Sequence, residues 1–246
     1  MLVTCQSGTS PSPARPVVLS LSERLEAGGR SLEFRLATEK IYPCINFSFP
    51  AELTPVGAGW RLRLGAVVED DFCFTATGPA RALASPGAPR PGTYPVMVEN
   101  LGVAATGTLR ITAETIALEL PGRAGVRVQP ALLGRIPAGT IWGVVGYDTP
   151  QQEAGVRAFL AALENAGAQR LALPEADYGY FKTDASGQLL VPDPSGYWFA
   201  RGFIYRYTGD AQLLRRLVRR AYLDNGGQVH PNVRTDRGEE FFGYLP

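Results

Sequence analysis

The chain reads IYPCINFSF at residues 41–49, GWRLRLGAVV at 59–68 and DDFCFTATGPA at 70–80. In the first run Ile41, Pro43, Ile45, Phe47 and Phe49 share one face of a strand, and Tyr42, Cys44, Asn46 and Ser48 share the other. Around Cys73 the same alternation sets Asp71, Cys73 and Thr75 against Phe72 and Phe74. Each cysteine thus stands opposite a row of aromatics, on apolar runs that suit facing sheets. A bond between them closes a loop of about 30 residues, which the chain-entropy relation values at about 3.6 kcal/mol. Two readings stay open at this point: a bridge formed in an oxidising compartment, or two buried thiols in a cytosolic core.

Working outward, the order Cys44, Trp60, Cys73 resembles the immunoglobulin pattern, in which a tryptophan packs on an inter-sheet bridge, with a shorter spacing than in antibody domains. The resemblance implies an immunoglobulin-like β-sandwich. Residues 17–25 and 31–37 alternate about the Gly28-Gly29 turn as a hairpin. Residues 60–68 form a further strand. The stretch 78–91, rich in Pro, Gly and Ala, reads as a surface connection. Gly92-Thr93-Tyr94 resembles the strand opening common in immunoglobulin-like bacterial domains, and Pro95 argues for a sheet edge there. Residues 105–112 and 115–120 complete seven or eight strands.

Near residue 135 the pattern changes. Residues 141–147, IWGVVGY, are a continuous apolar run suited to a central strand. Thr149-Pro150-Gln151-Gln152 combines an N-cap, a proline at the first helical position and a glutamine three after the cap. Val156, Phe159, Leu160 and Leu163 follow at helical spacing, and Gly167 closes the helix. A strand at 170–173, a long strand at 197–208, a helix capped by Asp210 and a last strand within 228–244 give the order β-α-β-β-α-β. That is the order of a ferredoxin-like α+β sandwich, though an antiparallel sheet with flanking helices of another connection reads alike. The expected domains are a tether at 1–15, a sandwich at 16–135 and a smaller α+β domain at 136–246.

The amino terminus, Leu2-Val3-Thr4-Cys5, resembles the end of a bacterial lipoprotein signal, whose cysteine becomes the lipidated residue. The Pro/Ser-rich 6–16 then reads as a tether. The resemblance implies lipidation at Cys5, a periplasmic or extracellular place in the cell envelope, and membrane contact only through that anchor. A net charge of +1 over 246 residues creates no field that points to nucleic acid.

Candidate sites are few. Tyr197, Phe203, Tyr205 and Tyr207, with Phe199, share one face of the 197–208 strand and could stack on a glycan or on a partner's flat surface; core packing against helices is the simpler reading of the same face. Arg215, Arg216, Arg219 and Arg220 span roughly 140° of the second helix and suit an anionic surface or simple solvation. His230, the one histidine, precedes Asp236, Glu239 and Glu240 without metal-ligand spacing. Glu69-Asp70-Asp71 reads as a turn. We find no catalytic residue, metal site or cofactor motif in the sequence. The expectation is therefore a non-catalytic envelope or secreted protein that binds a protein or glycan, the alternative being an envelope hydrolase built around His230.

Overall fold

A computed structural model describes residues 14–69, 72–122, 124–192 and 196–244. The chain divides into two compact units. One holds residues up to Ser22 with Ser31–Leu132, and the other holds Glu23–Arg30 with Leu133–Pro246.

The first unit is built on β1 (Val17–Glu26), β2 (Gly29–Tyr42), β3 (Ala51–Val56), β4 (Gly59–Leu64), β5 (Gly78–Gly87), β6 (Gly92–Asn100), β7 (Val103–Ile111), β8 (Thr115–Glu119), β9 (Val126–Val128) and β10 (Leu132–Gly134), of which residues 23–26, 29–30 and 133–134 belong to the second unit. They form a four-stranded sheet in the order β5-β2-β1-β9 and a six-stranded sheet in the order β10-β8-β7-β6-β4-β3. Each sheet buries an alternating row: Val17, Leu19 and Leu21 with Phe34 and Leu36 in one, Leu62, Val96, Val98, Leu109 and Leu118 in the other. One apolar face per sheet is what a β-sandwich requires. Asn100 is fully buried, and its Nδ2 donates to the carbonyls of Arg15 and Ala124, at 2.6 and 2.7 Å.

Cys44 and Cys73 are bonded, with Cα atoms 5.3 Å apart. Neither lies on a strand, contrary to the sequence reading: Cys44 sits in the turn after β2, and Cys73 in the irregular segment before β5. The alternation that suggested strands belongs to two loops. Asn46 joins them further, its Nδ2 donating to the Phe72 carbonyl and its Oδ1 accepting from the Phe74 N–H. Phe72 and Phe74 are exposed rather than core-facing. Trp60 meets Tyr94, with ring centroids 4.7 Å apart.

Two further expectations are corrected. Residues 78–87 form a strand, β5, whose prolines are tolerated because it lies at the end of its sheet. Pro95 is not on an edge strand, since β6 lies between β7 and β4. The β4 register begins one residue later, at Trp60 opposite Val96, so the proline stands at the end of that ladder.

The second unit contains β11 (Thr140–Tyr147), α1 (Glu153–Asn165), β12 (Gln169–Arg170), β13 (Lys182–Thr183), β14 (Leu189–Leu190), β15 (Phe199–Arg206), α2 (Ala211–Asp224), β16 (Val229–Thr235) and β17 (Glu240–Phe242). Its main sheet has the order β12-β15-β11-β16-β17 and is antiparallel throughout. Gln152 accepts from the backbone N–H groups of Asp148 and Thr149 before α1, and Asp210 accepts from Gln212 and Leu213 at the start of α2. Ile141, Val145, Phe203, Tyr205, Val229 and Val233 cover one sheet face and pack with Val156, Phe159, Leu163, Leu214 and Val218 of the helices. On the other face Trp142 and Ile204 pack with Leu173, Tyr178, Phe181, Leu189 and Leu25.

Leu25 belongs to the turn end of the β1–β2 hairpin, which is part of this second unit. Its N–H donates to the Tyr180 hydroxyl at 3.2 Å. Beside it Arg135 donates twice to Glu23 Oε1, at 3.0 and 2.8 Å, while Arg30 lies 3.7 Å from Glu23 and 3.6 Å from Asp236. Glu23 is only 7% exposed, and these guanidiniums supply the ion pairs of its buried carboxyl group.

Candidate functional site

The aromatic residues singled out in the sequence divide between two faces. Phe203, Tyr205 and Tyr207 are buried on the helix side of the sheet and leave no ring face for a ligand. Packing decides this: their alternation matches Ile141 and Val145 on the neighbouring strand, and the helices need an apolar floor. The Tyr205 hydroxyl donates to Glu164 at 3.0 Å, and the Tyr207 hydroxyl to the Asp210 carbonyl at 3.1 Å. Burial, followed by the Glu164 hydrogen bond, pushes the Tyr205 phenol up to about 12.

Tyr197 stands apart because β15 begins only at Phe199, so strand alternation does not bind it to that face. Its ring stacks on His230, with centroids 4.9 Å apart and planes 27° from parallel. Gly146 makes room for it: a Cβ there would lie 2.1 Å from the Tyr197 ring. Tyr222 meets the same imidazole edge-on at 5.6 Å. Burial pushes the Tyr197 hydroxyl up.

This stack marks one end of a groove over the sheet face that the helices do not cover. The β11–β16 register aligns Gly146 with His230, Val144 with Asn232 and Trp142 with Arg234. Toward Trp142 and Arg234 the groove holds about 610 Å³ between the sheet and the β13–β14 hairpin, with Tyr180, Leu189 and Val191 as its wall. Toward His230 it holds about 270 Å³, bounded by Tyr197, Phe242 and Tyr244. Val144, Asn232 and Pro192 line both parts and make them continuous. The charges along it are paired, Arg234 with Glu240 at 3.1 Å and Lys182 with Asp177 at 3.3 Å. Among the described residues the Asn232 side chain makes no hydrogen bond, which leaves a donor and an acceptor in the middle of the groove.

The acids that follow His230 in sequence are engaged elsewhere. Asp236 accepts from the Gly139 N–H at 3.0 Å, Glu239 from the Thr235 hydroxyl at 3.1 Å, and Glu240 faces Arg234. No cluster of three or more metal-ligating side chains occurs among the described residues. Cys5, Asp70 and Asp71 lie outside the described residues, so the lipidation site and most of the acidic turn have no structural counterpart here.

The groove was not legible in the sequence. Trp142 and Val144 stand in a continuous apolar run that marks neither face as open, and Asn232 stands within 228–244, where the pattern sets no sharp strand limits. The one available signal was the polar alternation His230, Asn232, Arg234 within 229–235. Comparison with protein-family models, curated proteins and solved structures returned no match.

Proposed function

We propose that this chain is a non-catalytic binding protein of the bacterial cell envelope or exterior, and that its ligand occupies the groove on the open sheet face of the second unit. In this reading the first unit is an immunoglobulin-like sandwich serving as spacer. The second is a ferredoxin-like βαββαβ unit with β17 added at one edge and the β13–β14 hairpin inserted over the sheet. The strand order β12-β15-β11-β16 supports that assignment. The compartment rests on the Cys44–Cys73 bridge and on the likeness of Leu2-Val3-Thr4-Cys5 to a lipidation site.

The observation that carries the function is the groove itself. It is elongated and largely apolar, with self-neutralised charges and, among the described residues, one unengaged amide at its centre. Such a lining fits an extended apolar segment of a partner protein, whose backbone Asn232 would hydrogen-bond while side chains enter the two ends. A glycan would ask for more free polar groups. The hydrolase alternative is weaker because Asp236, Glu239 and Glu240 are all committed to other partners.

The test is selection of random displayed peptides on the wild-type protein, with a glycan array in parallel. Selected peptides should lose binding by at least about tenfold on Asn232→Trp, which fills the groove. Peptides indifferent to that change, or glycan binders alone, would overturn the assignment. For the compartment, alkylation of the denatured protein with and without reductant should show one free thiol and one bridge; three free thiols in protein from an oxidising compartment would remove the export argument.

A further inference from the structure

α2 places Arg215, Arg216, Arg219 and Arg220 on one short helix with Asp224 as its only acid. The whole chain has a formal net charge of +1, so this is a local concentration of charge rather than part of a general basic surface. Leu214 and Val218 are buried and hold the helix to its sheet. At 100° per residue, the opposite face carries Arg216, Arg220 and Leu223, with Leu213 beside them.

These side chains reach solvent. Those of Arg216 and Arg220 are 66% and 79% exposed, and Leu223 is 56% exposed. Their ion pairs, Arg216 with Asp210 at 4.0 Å and Arg220 with Asp224 at 3.1 Å, are of the exposed kind that exchanges readily for another anion. Between the guanidiniums lies a shallow apolar trough of about 470 Å³ lined by Leu213, Leu217 and Leu223.

We propose that this face of α2 docks on an anionic phospholipid surface. The guanidiniums would meet lipid phosphates while Leu223 and Leu213 enter the boundary between headgroups and acyl chains. A soluble polyanion would use the arginines alone and gain nothing from leucines set among them. A bilayer uses both, and the charge match fixes its sign as anionic. The inference is independent of the groove and adds a second route to the membrane beside any anchor at Cys5.

The experiment uses the full chain carrying Cys5→Ser, so that no acyl group contributes. It measures co-sedimentation with vesicles of phosphatidylcholine alone and with phosphatidylglycerol added in a roughly 7:3 ratio. Binding is expected only to the mixed vesicles, and is lost when salt rises from about 0.1 M to about 1 M. Arg216→Gln combined with Arg220→Gln should weaken it about tenfold or more, and Leu223→Ser several-fold, with unchanged thermal melts because these side chains are exposed. Absence of binding to mixed vesicles at low salt, or equal binding to both compositions, overturns the proposal. So does binding that ignores Leu223→Ser and is matched by a single-stranded oligonucleotide, which would assign the face to polyanions.

Discussion

Tyr205 and Glu164 share one hydrogen bond and respond to pH at opposite ends of the scale. The Tyr205 phenol is held neutral to about 12 by burial and then by its bond to Glu164, whereas an exposed tyrosine ionises near 10. Stability from this group is therefore complete below about pH 10 and is lost as pH rises toward about 12, an effect of about 2–3 kcal/mol. Urea midpoints measured across that window should fall in the wild type and much less in Tyr205→Phe. Glu164 shifts the other way, below the usual glutamate range, because Arg170 donates to it at 2.8 Å and Tyr205 adds a second bond. Its contribution is present above the ordinary glutamate pKa and disappears as pH falls through the lowered one. Glu164→Gln should accordingly narrow the stability gap from wild type below about pH 4. Asn100 offers a test free of titration. Asn100→Leu strands the carbonyls of Arg15 and Ala124 in the first unit and should cost about 2–3 kcal/mol in chemical denaturation.

Among elements, the joined loops around Cys44 and Cys73 and the strand β11 make the clearest demands. Cys44→Ser with Cys73→Ser should destabilise the first unit by about 2–4 kcal/mol, read as a lower midpoint with a steeper denaturant slope, because the unbridged denatured chain is more expanded. Gly146→Ala sets a methyl against the Tyr197 ring; about 1–3 kcal/mol of destabilisation is expected, together with displacement of the ring from His230, visible as a changed imidazole resonance. The pairing of the cysteines was readable from the sequence, but their setting was not. An aromatic-cysteine-aromatic alternation looks the same in a loop as in a strand until the pairing partners are known. Helix ends were easier, because Gln152, Gly167 and Asp210 act on neighbours within a few residues. The groove depended on which of two sheet faces the helices would cover, and Trp142 carries no local mark of that choice.

For the whole molecule, the membership of residues Glu23–Arg30 is the feature least accessible to sequence reading. Glu23 and Arg135 are 112 positions apart, and no periodicity links them. A boundary near residue 135 follows from the change of pattern, yet a fragment spanning 133–246 would lack Leu25 from its core and Glu23 from beside Arg135. That fragment should melt with about 2–5 kcal/mol less stability than the same unit in the full chain. Equal stability, measured through Trp142 fluorescence, would show that the turn end of the hairpin contributes nothing.

Discontinuity of the second unit also imposes a schedule on biosynthesis. The turn of the first hairpin leaves the ribosome some 105 residues before Arg135, an interval of roughly 5–20 s at ordinary elongation rates. During that time the first unit can complete its own pairing while Leu25 and Glu23 remain without the residues that will enclose them. Residues 133–246 therefore fold against a part made earlier, and slow or interrupted translation after residue 132 would leave Leu25 and the Glu23 carboxylate without their partners, exposed to chaperones and proteases.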